Sequence, residues 1–355
     1  MHHRLSHRAR APGWVPAMRA RITGRARNVR LMPATARRTC PRVNAIPRSL
    51  ILYVAITYAL SAIYGFSLPL LGLPQGSLAS LALGVLYMFI PALVAVGFTR
   101  REKGSLRGLG VKWRFNPFWL VSWLAPLALV FLGIGLSLLM PGASFSPGLD
   151  ALMQRLEGVV PADQLPLVRA QLEQMPVHPV FMTLPQALIA GATINAVAAF
   201  GEELGWRGYM QQKLAHLGFW RSNALIGVVW GLWHAPLILQ GHNYPDAPVA
   251  GVLMMTLVCV PLSILFAWTR VRGRSVVPAS IAHGSFNALA GLSTMVMAGG
   301  SSLLSGMMGL GTFFAASLLC LAILFFDRKV ESASRAEFDL DVSLPGEPAR
   351  LHTGQ

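Results

Sequence analysis

Three short stretches put acids, imidazoles and an amide into otherwise apolar sequence. They read Glu202-Glu203-Leu-Gly-Trp-Arg207, Trp230-Gly-Leu-Trp-His234 and His283-Gly-Ser-Phe-Asn287. Glu203 and Arg207 stand at i and i+4 with the acid first, the order in which such residues pair on a helix. That pairing neutralises both, and it leaves Glu202, turned about 100° away, to face a different neighbour. His283 and Asn287 share a helix face by the same spacing, and Trp230 lies one turn before His234, where it walls one side of that imidazole. A carboxylate beside an imidazole can take a proton from water. A second imidazole with an amide supplies donors for an oxyanion. Hydrolysis of a peptide bond is the reaction this set suggests. A structural ion-pair network joining three helices uses the same residues and stays open on spacing alone.

The elements that must position these groups are membrane helices. Of the 355 residues 54% are hydrophobic and 12% charged, with a mean hydropathy of +0.53. A water-soluble domain carries about 25% charged residues. The composition also excludes disordered, collagenous and disulfide-rich classes. Eight runs are long and apolar enough to span a bilayer, which takes about 20 residues each. They fall near 51–72, 78–99, 117–140, 181–207, 222–240, 249–269, 276–298 and 306–326. Only the fourth, fifth and seventh bring in ionisable groups, which are costly in hydrocarbon and mark function. Gly201-x-x-x-Gly205 and Gly227-x-x-x-Gly231 offer small faces for close helix packing. The resulting expectation is an all-α bundle of eight transmembrane helices over 51–326, with the motif region at 180–300.

Charge sorts the loops. Arg100, Arg101, Lys103, Arg107, Lys112 and Arg114 crowd the loop 100–116; Arg270, Arg272 and Arg274 mark the next basic turn, and Arg328 and Lys329 follow the last span. The loops on the other side are acidic or lack Lys and Arg. Both termini are therefore expected in the cytoplasm, with residues 327–355 as a cytoplasmic tail. Short amphipathic helices at the interface account for the loop 141–180. The net charge of +16 resembles that of a nucleic-acid binder until it is localised. Twelve Arg and no acid lie in residues 1–50, leaving eighteen Lys and Arg against fourteen Asp and Glu after them. No nucleic-acid partner is expected. This Arg-rich, Pro- and Gly-broken leader is expected to be disordered. It reads as a solvated tail, a transit-like segment, or sequence upstream of a start at Met18 or Met32. Cys40, Cys259 and Cys320 are too few and scattered for a disulfide framework.

At the three motifs the sequence resembles the CPBP family of intramembrane proteases, also called the CAAX protease and bacteriocin-processing (ABI) family. The family pattern is E-E-x-x-x-R, F-x-x-x-H and H-x-x-x-N on separate helices of an eight-helix fold. Here these are Glu202-Glu203-x-x-x-Arg207, Trp230-x-x-x-His234 and His283-x-x-x-Asn287. The one departure is Trp230 for phenylalanine, one large aromatic for another. The resemblance implies cleavage of peptide bonds in or beside the membrane. By it, Glu202 and His234 activate water, His283 and Asn287 form the oxyanion site, and Glu203, Arg207 and Trp230 support them. It implies a membrane-associated peptide or protein substrate and, for a chain of this kind, a bacterial inner (plasma) membrane location.

Family members are named metalloproteases, while relatives are described as metal-independent glutamate proteases. Glu202, His234 and His283 are the candidate ligands for Zn²⁺ with one open position, but no H-E-x-x-H is present. No G-x-S-x-G elbow occurs and no span holds an Asp, so serine and aspartyl designs fit poorly. Two non-enzymes remain: a bacteriocin-immunity or scaffold protein on the same fold, and a proton-coupled transporter. The first half of the chain shows no repeat of the motif helices, which argues against the transporter. Depth adds one requirement. His234 and His283 lie about 18 and 10 Å from the inner ends of their spans by helical rise, whereas Glu202 closes its apolar run. For them to meet, the fourth helix has to run on through Trp206, Tyr209, Met210 and Leu214, over about 190–214. The four site residues then converge on a polar cavity open to the cytoplasmic side.

Overall fold

A computed structural model of the chain describes residues 46–73, 77–157 and 160–339; of Arg155 and Asp339 only the backbone is described. The expected leader lies outside the described residues up to position 45, as does the tail from 340 onward.

The chain is mostly helical. In order it forms α1 (Arg48–Ser67, prolonged by a 3-10 turn to Leu71), α2 (Leu78–Arg101), α3 (Pro117–Ser137), β1 (Ala143–Phe145), α4 (Asp150–Leu156), α5 (Leu165–Glu173) and α6 (Pro179–Ala192). There follow α7 (Ile194–Glu203), a π-helical turn (Leu204–Met210), α8 (Gln211–Leu214), a 3-10 turn (Ala215–Leu217), α9 (Phe219–Trp233) and α10 (Ala235–Ile238). The remainder is α11 (Pro248–Gly273), α12 (Val276–Ala290), α13 (Ser293–Val296), β2 (Met297–Gly299), α14 (Leu310–Phe326) and α15 (Val330–Asp339). Four helices are long and apolar enough to cross a membrane: α1 with its 3-10 turn, α2, α3 and α11. The number rises to six if the bent pairs α6 with α7–Leu217 and α14 with α15 each count as one span. Helices α9 and α12 have 15 residues each, about 22 Å by helical rise. That falls short of a hydrocarbon core of about 30 Å. The expected span at 276–298 breaks after Ala290, resumes for one turn as α13 and then leaves the helix at β2, which pairs antiparallel with β1 in a two-stranded ribbon. The loop 141–180 does fold into two short helices, α4 and α5, with Arg169 bonded to Asp150 and Glu173.

The outward faces carry exposed Ile63, Phe181, Ile189, Val197, Leu253 and Phe325. Such surfaces suit hydrocarbon rather than water, and the chain is an integral membrane protein. Inside, α9 packs on α11, and α12 packs on α3, α6 and α7. Both glycine pairs lie at backbone-to-backbone crossings. A Cβ on Gly201 would come within 2.6 Å of the Met88 carbonyl on α2, and one on Gly227 within 2.6 Å of Val260 on α11. Gly284 and Gly191 let α12 touch the backbone of α7 and the side chain of Ser285 touch α6 in the same way.

The fourth apolar run bends by 45° between α6 and α7. Thr193 there leaves the helical basin (φ −118°, ψ −96°), and its hydroxyl donates to the Ile189 carbonyl at 2.7 Å. A side chain that bonds back to the preceding turn commonly bends a helix. From Ile194 the backbone stays helical through Leu217. The continuous helix needed to bury Glu202 is therefore present, starting at 194 rather than about 190. The chain after 327 departs from a free tail. It forms α15, whose Glu337 and Phe338 are buried.

Candidate active site

Glu202 and Glu203 end α7 and Arg207 lies in the π-helical turn, all three buried. π-helical turns concentrate at functional sites because the wider turn re-aims side chains. Arg207 Nη1 donates to Glu203 Oε1 at 2.8 Å with both side chains out of contact with solvent. His283 Nδ1 lies 2.9 Å from the same oxygen. A carboxylate only accepts, so Nδ1 carries the hydrogen and Nε2 is left open. Glu203 thus serves two partners: it neutralises Arg207 and fixes the tautomer and aim of His283.

Trp230 does more than wall an imidazole. Its indole Nε1 donates to Glu202 Oε2 at 2.6 Å, a short, charge-assisted bond. Its ring stands 5.6 Å from that of His234 and 5.2 Å, edge-on, from that of His283. The Arg207 guanidinium sits over the indole at 4.9 Å. His234 Nδ1 lies 2.9 Å from the carbonyl of Trp230, which again puts the hydrogen on Nδ1 and the lone pair on Nε2. Glu202, His234 and His283 are thereby gathered around one indole, and Glu202 Oε1 has no hydrogen bond among the described residues. Phenylalanine at position 230 would pack alike but lacks the donor.

Asn287 is the expected site residue that does not join. It lies in the last turn of α12, about 6 Å along the axis from His283 by helical rise. Its side chain is exposed and bonded to none of the others. The i, i+4 spacing sets the face but not the depth, and α12 ends three residues later. Sequence reading missed Phe266 on α11, which stacks on His283 (ring centroids 5.0 Å apart, 16° between planes). It lies in an unbroken apolar run that gives no signal. It also read Arg270 as a loop charge, whereas Arg270 is buried.

Glu202, His234 and His283 are the candidate zinc ligands. Among the described residues no three His, Cys, Asp or Glu side chains come together so as to hold a metal ion. Locally, Trp230 occupies one oxygen of Glu202, and each histidine donates Nδ1–H to a protein acceptor, which leaves its Nε2 open.

Residues 184–289 match the family described as Type II CAAX prenyl endopeptidase Rce1-like. This segment resembles the Rce1-like family. It contains all seven motif positions, so the resemblance read from the motifs holds where the site is built. Over 97 residues, 26% of this chain, the sequence is 33% identical to CAAX prenyl protease 2 of Methanococcus maripaludis. The match takes in 36% of that relative, so the chain spans about a third of its length. Within the Rce1-like segment, α6 to α12, the departure at Trp230 is testable. Under the endopeptidase reading proposed below, Trp230→Phe should keep the packing and lower cleavage about tenfold, the low end for a bond to a charged group of about 1.5–3 kcal/mol. Steady-state rates beside a melting curve read this, and an unchanged rate would mean that the indole N–H does not serve Glu202.

Proposed function

We propose that the chain is an intramembrane endopeptidase of the CAAX-protease type, cleaving membrane-associated peptides or proteins in or beside a bacterial inner membrane. The observation that carries this is the gathering of Glu202, His234 and His283 around Trp230, with Glu202 and His283 buried and His234 part-buried. In this reading a water sits between Glu202 Oε1 and the lone pair on His234 Nε2. Glu202 takes its proton as the oxygen attacks the peptide carbonyl, and returns it to the departing amine. His283 steadies the oxyanion, which requires it to carry hydrogens on both nitrogens. Asn287, exposed one turn along α12, donates from the substrate side. No step needs a metal.

Membranes holding the wild-type chain or Glu202→Gln at equal expression, compared by terminal-peptide proteomics, test the activity. Fragments that vanish in the variant name the substrate. Identical fragment sets would leave an immunity or scaffold protein as the reading. A chelator such as 1,10-phenanthroline should leave cleavage within about twofold of control, far short of the loss expected when a needed Lewis acid is removed. Inactivation reversed by added zinc would make Glu202, His234 and His283 metal ligands after all.

The proposal includes eight spans with both termini inside, α9 and α12 being short because they end around a site below the opposite surface. Basic loop residues support this orientation. Reporters fused after residue 160 and after residue 330 should then report opposite sides, and same-side signals would overturn it.

A further inference from the structure

Helix α15 lies beyond the apolar spans, yet it reaches two elements that carry the site. Its Glu337 is 5% exposed. Glu337 Oε1 accepts from Arg270 Nη1 and from Lys112 Nζ, each at 3.1 Å, and Arg274 Nε lies 4.0 Å from Oε2. Burial alone would push the Glu337 carboxyl up, but Arg270 and Lys112 outweigh it and hold the group below the usual carboxylate range. Arg270, in the last turn of α11, is 1% exposed and lies over the ring of Phe338 at 5.1 Å. Its Nε donates to the carbonyl of Arg207 at 3.2 Å. The guanidinium fits because Gly110, at φ +83°, has no Cβ where Arg270 passes. From Arg207 the bonds run on to Glu203 and from Glu203 to His283. An unbroken set of contacts therefore links α15 to the imidazole. A second carboxylate on the same helix, Glu331, accepts from the backbone N–H of Phe219 at 2.9 Å. That is one of the unsatisfied donors at the start of α9, the helix of Trp230 and His234.

We propose that Glu337 is a positioning residue of this site: through Arg270 it grips the backbone of the π-helical turn and so sets the aim of the Glu203–Arg207 pair on His283. π-helical turns are rare and occur as single turns inside α-helices, and here an outside donor, Arg270 Nε, holds a carbonyl of the turn. A buried arginine keeps such a position only while its charge is matched, and Glu337 matches it. The kinetic consequence rests on the endopeptidase reading; the structural one does not.

The test uses the full chain in lipid nanodiscs, as wild type, Glu337→Gln, Glu337→Asp and Arg270→Lys. Amide hydrogen exchange is followed over residues 204–210, and turnover over the substrate peptide named by the membrane comparison. Glu337→Gln should speed exchange in 204–210 at least tenfold and lower kcat about tenfold with KM within twofold. Glu337→Asp should restore part of both. Arg270→Lys keeps a charge for Glu337 without the fork that also reaches Arg207, so it should loosen the same turn. If Glu337→Gln does not fold, the comparison of Arg270→Lys with wild type decides. Unchanged exchange at 204–210 in the folded variants, or a loss of rate that merely tracks the folded fraction, would overturn the proposal. Should the wild type cleave nothing, the endopeptidase reading falls, and the exchange measurement alone judges the role of Glu337.

Discussion

Glu202→Gln should reduce kcat by on the order of a hundredfold or more, the contribution expected of a general base, while leaving the amount of folded protein unchanged. The amide keeps the shape of the side chain and can still accept the bond from Trp230 Nε1 that holds Oε2 at 2.6 Å. What it loses is the lone pair basic enough to take a proton from water. Burial does not penalise the swap, because a neutral amide is cheaper to bury than a carboxylate. Activity and stability are thus expected to separate. Purified protein in detergent or nanodiscs, with turnover and melting measured on the same preparation, reads both. If Glu202 served only a structural network, that network would tolerate the amide and the variant would cleave as before. His234→Ala should follow the same pattern, since it removes the second group of the proposed water site and leaves the Trp230 carbonyl only a lost local partner.

Arg207→Ala should fail for the opposite reason. Its guanidinium is wholly buried between Glu203 and the faces of Trp230 and Phe266. Removing it leaves the Glu203 carboxylate in an apolar interior with His283 as its one remaining bonded partner among the described residues. Breaking a buried ion pair by deleting one member costs about 3–5 kcal/mol, a large part of the 5–15 kcal/mol that holds an ordinary domain together. The expected result is a marked loss of monodisperse protein after solubilisation and a lowered melting temperature, with any surviving fraction inactive because His283 is no longer aimed. A variant that purifies and melts as the wild type does would show that the pair is not needed for folding. Arg207→Lys separates charge from shape. It keeps the ion pair with Glu203 but loses the planar group that stacks on the indole.

Much of this protein was legible in the amino-acid sequence because hydrocarbon imposes a strict rule. A charged side chain in a span is costly enough to need a reason, so two glutamates, an arginine and two histidines in apolar runs stand out without any structure. Fixed helical periodicity then set which neighbours pair, and Glu203 with Arg207 is the case where spacing alone sufficed. The glycine pairs marked the close crossings of α7 with α2 and of α9 with α11 for the same local reason.

Only the tertiary structure decided the rest, because it depends on where helices end and what meets them from elsewhere in the chain. Run lengths suggested eight spans, but hydropathy does not register that Thr193 bends the fourth, that α12 stops at Ala290, or that β1 and β2 pair. The i, i+4 spacing placed Asn287 on the face of His283 and could not tell that its side chain stays exposed. Trp230 looked like a wall because its N–H has no partner nearby in sequence; Glu202, 28 residues away, supplies one only when α7 and α9 pack. Arg270 and Glu337, 67 residues apart, read as a loop charge and a tail charge. They become a buried pair because α15 folds back onto the end of α11, and a long-range ion pair leaves no periodic trace in a sequence.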